Sequence, residues 1–522
     1  MISETAPADV RLAWITRQEI ALIDLREEDP FAKDHPLFAS QLPLSRLELE
    51  ILDRVPRRDT KIVLYDNGEG LVARAAERLA RLGYRAVTAL AGGLEGWRRA
   101  GLELFQDVNS ASKAFGELVE SRRHTPSVPA PDAKALIETE PNLVVLDARR
   151  FEEYQTMSIP RGVSVPGAEL VLRAREIAPD PSTTIIVNCA GRTRSIIGAQ
   201  SLINAGLPNK VYALRNGTIG WTLAGQDLEH GRDGRFPQTS PDRETEARQS
   251  ARAVSYRAGV KHIDPRGLDI LGRDAGRTLY RFDVRTPEEY AAGHIPGFRS
   301  APGGQLVQET DVFAPVRGAR IVLADDRGAR ADMSASWLAQ MGWEVYVLNG
   351  GFDRDLERGP RRPTRPALPD VPSLTAAELI AGGGDLIVID VATSAQHRKG
   401  HVPGAWFAVR ASLAQALIVL PEGLDIVFTS PDGDLARLAA ADFAPLTRQR
   451  VSALAGGTAA WIAAGGPLET GLPKAATFVD DIYRRPYEGT DNAAEAMQAY
   501  LDWEYGLVDQ LARDGAHGFY VI

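Results

Sequence analysis

Residues 184–206 read TIIVNCAGRTRSIIGAQSLINAG, and this stretch changes character twice. Ile185, Ile186 and Val187 form a short β-branched run, the composition of a strand buried on both faces. From Ser195 onward the pattern turns helical. Ile196, Ile197, Ala199, Gln200, Leu202 and Ile203 fall over successive turns, and Gly206 with Pro208 after it stops the helix. Cys189 stands where the strand hands over to the helix. In α/β sheets, ligands sit in loops at the carboxyl ends of strands.

Outward from this stretch the same frame recurs four times. An apolar run ending in Asp appears as ALIDLR at Asp24, LVVLDAR at Asp147, LYRFDVR at Asp283 and LIVIDVA at Asp390. Arg26, Arg149 and Arg285 follow two residues later, with Ala392 in the fourth. A turn with Pro36, Pro160, Pro296 or Pro403 comes next. A second apolar run then ends at Asp66, Cys189, Asp325 or Ser430, at distances of 42, 42, 42 and 40 residues from the first Asp. A third run closes on Gly93, Gly217, Gly351 or Gly457, with Trp97, Trp221 and Trp461 following in three copies. Strand and helix alternate in each copy, which predicts an α/β chain of four tandem domains, each a mainly parallel sheet flanked by helices. The expected domains are 1–112, 125–232, 250–360 and 370–471, followed by a helical tail over 472–522. Residues 121–132, 231–250 and 359–373 are polar or Pro-rich and read as linkers. Met497, Leu501, Val508 and Leu511 recur at near-helical spacing in the tail, which is expected to dock on its own chain. Which copy packs beside the second is left open.

Of the 522 residues, 44% are hydrophobic and 25% charged, so the chain is globular and too long for one core. A net charge of −9 argues against a general nucleic-acid binder. No signal peptide is visible and no apolar run approaches the ~18 residues of a membrane span, so a soluble, cytoplasmic protein is expected. With one cysteine, an intramolecular disulfide and a cysteine-rich metal site are excluded. The eight histidines lack metal-ligand spacing, and His294 and His401 read as structural turn residues. The Gly-rich stretch 381–384 precedes a strand instead of following one, so it is not a dinucleotide loop. No metal and no cofactor are expected.

Three effects converge on Cys189. The first amides of a helix lack internal partners, the helix dipole favours negative charge there, and Arg192 and Arg194 add two cations. Together they are expected to lower the thiol pKa and favour the thiolate. Gly191 is expected to let the backbone curl around the sulfur.

The loop CAGRTRS, with LVVLDAR and Pro160-Arg161-Gly162 before it and ALRNGTIGW after it, resembles the active-site loop of the rhodanese-like sulfurtransferases. The resemblance is strong over residues 130–230; the other three copies match the frame but not the nucleophile. It implies a double displacement. Cys189 takes a sulfane sulfur from a small anionic donor such as thiosulfate, becomes a persulfide, and passes the outer sulfur to cyanide or a thiol. It further implies substrate binding by the backbone of Ala190, Gly191, Arg192, Thr193, Arg194 and Ser195, with Arg194 against the pocket and Arg192 toward solvent. Asp147 and Arg149 are expected to support the loop from beneath as a structural pair, and Glu152 and Glu153 to form a solvated helix start. Asp66, Asp325 and Ser430 cannot form a persulfide, so their copies are expected to be inactive; Arg330 is placed to pair with Asp325. The cell-cycle dual-specificity phosphatases share the resemblance but place five residues between Cys and Arg. Here four, Ala190 to Thr193, separate Cys189 from Arg194, which suits a sulfur better than a phosphate. The alternatives are a 3-mercaptopyruvate sulfurtransferase, which two loop arginines disfavour, and a persulfide carrier that serves a protein partner without turnover. A protein sulfur acceptor and a homo-oligomer are left open; no nucleic acid and no membrane are expected as partners.

Overall fold

The computed structural model describes residues 2–382 and 386–522; Gly383 and Gly384 of the Gly-rich stretch lie outside the described residues. Each of the four copies forms a five-stranded sheet with the strand order first–fifth–fourth–second–third, and the pairings are parallel. In the second copy the strands are Ser127–Val128, Leu143–Asp147, Gly162–Ser164, Thr184–Asn188 and Val211–Leu214. Register explains the internal spacing of the repeat. Asp147 pairs with Asn188, so Cys189 is the first residue beyond the paired strand. Asp24 with Tyr65, Asp283 with Ala324 and Asp390 with Thr429 set Asp66, Asp325 and Ser430 at the same place. The central strand Thr184–Asn188 is buried throughout, as its composition requires.

Two segments differ from the sequence reading. The polar stretch 231–250, read as a linker, enters the helix Pro241–Arg257. Its charged side chains are exposed or half-buried, with Arg252 bound to the buried Asp332, while Ala247, Ala251 and Val254, at helical spacing, are buried in one cluster with Leu170, Leu202 and Met333 between copies two and three. Small residues let this helix lie close to both neighbours. The second is the helix Ser110–Arg123, which links copies one and two and is called here the bridging helix. It packs on the helix that follows Cys189, Thr193–Asn204, with Gly116 against Thr193: a Cβ at Gly116 would lie 2.8 Å from the Thr193 methyl carbon. The Pro-rich segment has no regular secondary structure over residues 361–372, and its Arg361 and Arg365 bind Asp53 and the Leu49 carbonyl of copy one.

Copies one and three both pack on copy two, the former through the bridging helix. At the contact with copy three, Gly304 approaches Gly167 so closely that a Cβ there would sit 3.2 Å from the Gly167 nitrogen. Arg330 of copy three, fully buried, donates to Glu169 of copy two at 2.8 Å. Copy four packs on copy one, where Arg410 meets both oxygens of Glu48 at 2.9 Å. The tail docks on its own chain through the helices Ala494–Tyr505 and Leu507–Asp514. Leu507, Leu511 and Phe519 join the core shared by copies one and three, each buried side chain contributing about 2 kcal/mol. Among the described residues no helix is long and apolar enough to cross a membrane.

Candidate active site

Beneath the loop lies a buried ion pair. Arg149 Nε and Nη2 donate to the two Asp147 oxygens at 2.9 and 2.7 Å, and both residues are 1% exposed. Asn188 Nδ2 donates to the same carboxylate at 2.9 Å, and Arg149 also reaches the Met157 carbonyl. The pair thus ties two adjacent strand ends and the Pro160 turn together. Asp24–Arg26 and Asp283–Arg285 repeat it, and in the fourth copy His397 takes the arginine's place on Asp390 at 2.8 Å.

The three copies without cysteine show what the loop is built to hold. Asp66 accepts backbone N–H groups from Gly68, Leu71 and Val72 at 3.1, 2.6 and 3.4 Å. Asp325 accepts from Arg327, Arg330 and Ala331 at 3.2, 2.9 and 3.3 Å. These are the positions two, five and six residues after the Asp in both copies. In the fourth, Ser430 Oγ accepts from Gly433 and Ala436. A carboxylate on the chain itself therefore occupies an anion cradle at a helix N-terminus. By register, the amides of Gly191, Arg194 and Ser195 form the corresponding cradle in copy two. There the short thiol leaves it unfilled by any carboxylate: Cys189 Sγ lies 3.4 Å from Ser195 Oγ, and that hydroxyl donates in turn to the Arg192 carbonyl at 2.8 Å.

The cover over this loop comes from outside copy two. Tyr500 and Glu504 of the tail helix Ala494–Tyr505 sit on Gly191, where a Cβ would meet Glu504 Oε2 and Tyr500 Cε1 at 3.1 Å each. Gly191 is thus needed for what lies above it; its φ is not in the left-handed region. Ala190 packs with Ile219, Tyr487, Met497, Tyr500 and Leu501. Below, Gly217 at φ +53° lets the next turn close in, so that Thr218 and Ile219 N–H groups bind the Cys189 and Ala190 carbonyls at 2.9 and 3.0 Å.

Three expectations are corrected by this packing. First, the Cys189 thiol is raised, not lowered, from its ordinary pKa. Cys189 is 1% exposed, and burial penalises the thiolate more than Arg194 and the Ser195 hydroxyl and amide favour it; Glu504 adds to the penalty. Second, Arg192 does not point to solvent. It is 3% exposed, forks onto both Glu117 oxygens of the bridging helix at 2.7 and 2.8 Å, reaches Glu120, and stacks 4.0 Å from the Tyr505 ring. Its charge is neutralised by carboxylates that sequence spacing did not bring near it. Third, Glu153 is not merely solvated. It accepts from Arg194 at 2.6 Å and is held below the usual carboxylate range by that guanidinium, against the opposing effect of burial. Glu152 remains exposed. Thr193 is half-buried, and its hydroxyl has no hydrogen-bond partner among the described residues. Glu153→Gln is expected to destabilise the fold by about 2–3 kcal/mol, since it leaves the largely buried Arg194 cation without its counter-charge; urea unfolding midpoints measure it.

Sequence reasoning missed Glu117, Tyr487, Tyr500 and Glu504. For the last, a signal was present: Glu504 falls on the same helical stripe as Met497, Tyr500 and Leu501, and a carboxylate within an apolar stripe is out of place on a merely structural helix.

The rhodanese-like domain family matches this chain four times, at residues 8–100, 129–224, 272–356 and 374–464. A crystal structure of thiosulfate sulfurtransferase from Pseudomonas aeruginosa is 58% identical, with a TM-score of 0.98 and full coverage of both chains. Thiosulfate sulfurtransferase GlpE of Ectopseudomonas mendocina is 32% identical over 97 residues, 18% of this chain and 82% of that protein. An uncharacterized Synechocystis protein, slr1261, is 33% identical over 91 residues, 17% of this chain, which spans only half the length of that relative. Four family matches, on four sheets of one strand order with the cradle repeated at each central strand end, show that the chain belongs to the rhodanese-like domain family.

Proposed function

We propose that this chain is a thiosulfate sulfurtransferase that works through a persulfide on Cys189. The observation that carries the reading is the cradle. Two sister loops fill three equivalent amides with a carboxylate, and the one loop with a sulfur nucleophile offers the same amides to a bound anion. In the first step the Cys189 thiolate attacks the sulfane sulfur of thiosulfate. The Cys189–sulfur bond forms, the bond to the sulfonate sulfur breaks, and sulfite leaves with its electron pair. The outer persulfide sulfur then lies on the amides of Gly191, Arg194 and Ser195, which stabilise its negative charge. In the second step a thiol or cyanide attacks that outer sulfur, and Cys189 departs as the thiolate. Arg194, braced by Glu153, supplies the positive field; Asp147 and Arg149 hold the loop's base. Entry of the donor needs the tail helix to lift from Gly191, and the same movement lets in the water whose exclusion keeps the thiol protonated.

The domains with Asp66, Asp325 and Ser430 serve as architecture in this reading. They fill their own cradles and, with the tail, shape the surroundings of Cys189. A lone unpaired cysteine doing thiol chemistry suits a reducing cytoplasm. Intact-protein mass spectrometry tests the assignment: thiosulfate should add about 32 Da, one sulfur atom on Cys189, and cyanide should remove it. A chain that gains no mass from thiosulfate overturns the reading.

A further inference from the structure

The carboxylate above the loop is not explained by packing. Glu504 is 1% exposed and lies on the Gly191 side of the tail helix. Its Oε1 accepts the Tyr500 hydroxyl at 2.9 Å, while Oε2, the atom nearest Gly191, has no hydrogen-bond partner among the described residues. A buried, half-unpaired carboxylate costs stability and is retained where it does work. The charged groups that face it are Lys113 and Glu117 of the bridging helix and Arg192 and Cys189 of the loop, with Tyr500 on its own helix. Lys113 is engaged by Asp107 at 2.9 Å and Arg192 by Glu117, so neither forms an ion pair with Glu504. Burial first, and then the charge of Glu117, push Glu504 up to about 8.

Resting on the sulfurtransferase reading, we propose that Glu504 is the general base of the second half-reaction and that the acceptor it serves is a small neutral thiol. Thiosulfate brings no proton that must be removed, whereas a thiol at neutral pH does. As the acceptor sulfur bonds to the outer sulfur of the Cys189 persulfide, its S–H proton passes to Glu504 Oε2. The bond between the two persulfide sulfurs breaks, its electron pair goes to Cys189, and the product leaves as the acceptor's persulfide anion. One carboxylate, one neutral thiol and one persulfide anion thereby become a carboxylic acid, a persulfide anion and a thiolate, with charge unchanged. Space for the acceptor exists beside the loop: Tyr487 and Met497, which cover Ala190, also line a cavity of about 190 Å³ with Met157, Thr218 and Ile219. Its walls mix apolar side chains with polar ones such as Thr218, Gln226 and Asn492, and the lining holds the carboxylate of Asp227 but no lysine or arginine, which favours an uncharged thiol over an anion.

The test separates the two half-reactions in the full-length chain. Wild type and Glu504→Gln are loaded with thiosulfate, then mixed with 2-mercaptoethanol, and loss of the added sulfur is followed by mass and by stopped flow. The isosteric amide still accepts from Tyr500, so the variant should load, yet discharge about 100-fold more slowly at pH 7. A base must be deprotonated to act, so wild-type discharge should rise with pH through about 8 and then level. The Glu504→Gln rate should keep rising toward the thiol's own, higher pKa, where solution supplies thiolate directly. Tyr500→Phe removes a hydrogen bond that favours the charged carboxylate, and should move the wild-type limb to higher pH. Equal discharge of loaded wild type and Glu504→Gln at pH 7, or an unmoved limb in Tyr500→Phe, overturns the proposal and leaves the function reading intact. A Glu504→Gln chain that loads and discharges with equal losses shows a brace for the loop and no base, and also overturns it. A wild type that never loads overturns the function reading itself and this proposal with it.

Discussion

Replacement of Cys189 by Ser is expected to lower thiosulfate-dependent sulfur transfer by on the order of 10³-fold or more and to abolish the mass gain from thiosulfate. A hydroxyl is neither acidic nor soft enough to take up a sulfane sulfur, and the fourth copy shows the result of that exchange: Ser430 Oγ turns onto its own loop amides. The fold should be unaffected, because the serine hydroxyl can do the same in copy two. Cys189→Asp sharpens the experiment. Its carboxylate should settle on the amides of Gly191, Arg194 and Ser195 as Asp66 and Asp325 do on theirs, giving an inactive chain with a native melting temperature. In copy three the arginine in register with Arg194 holds Asp325 below the usual carboxylate range despite burial, so an ionised aspartate is expected at 189 as well. An Asp variant that fails to fold would show that the cradle in copy two does not accept a carboxylate, and the argument from the sister loops would fall.

Gly217→Ala should destabilise the chain strongly and disturb the Cys189 loop directly. Gly217 has φ +53°, and a Cβ there would lie 2.3 Å from the Cys189 carbonyl oxygen and 2.8 Å from the Ala190 carbonyl carbon. Neither atom belongs to a flexible side chain, so the loop itself must move. The left-handed backbone costs about 1–2 kcal/mol and the displaced loop about as much again, roughly 3–4 kcal/mol in all. Urea unfolding measures this. Because a shift near 1 Å at a reacting centre costs about 10²-fold in rate, persulfide formation should fall by that order. Gly206→Ala is the control: it shares a positive φ, +71°, but a Cβ there meets nothing within 4 Å. It should lose only the backbone contribution, with sulfur transfer unchanged. Equal losses at the two positions would mean that contact with the Cys189 carbonyl is unimportant.

Gly93 and Gly457 repeat the close approach of Gly217, lying against the Asp66 and Ser430 carbonyls. That recurrence is why the turn sequences ALAGG and ALRNG were readable as landmarks. Periodicity and spacing are local properties, and everything they govern could be read along the chain: strand and helix order, the register that places residues 66, 189, 325 and 430, and the loop amides around Cys189. The Asp147–Arg149 pair was legible for the same reason, since its members stand two positions apart in the sequence.

The charge state of the thiol was decided by contacts across the chain. Arg192 lies three residues from Cys189, yet its field is cancelled by Glu117, 75 residues before it, through a helix whose polar sequence masked its buried face. Glu504, more than 300 residues after the loop, arrives on a tail whose docking face follows from shape complementarity between helices. Local sequence thus determined that a sulfur would stand at the N-terminus of a helix. Only the packed structure decided that it would be sealed from water there, because burial depends on which surfaces meet, and Coulomb interactions act across space without regard to separation along the chain.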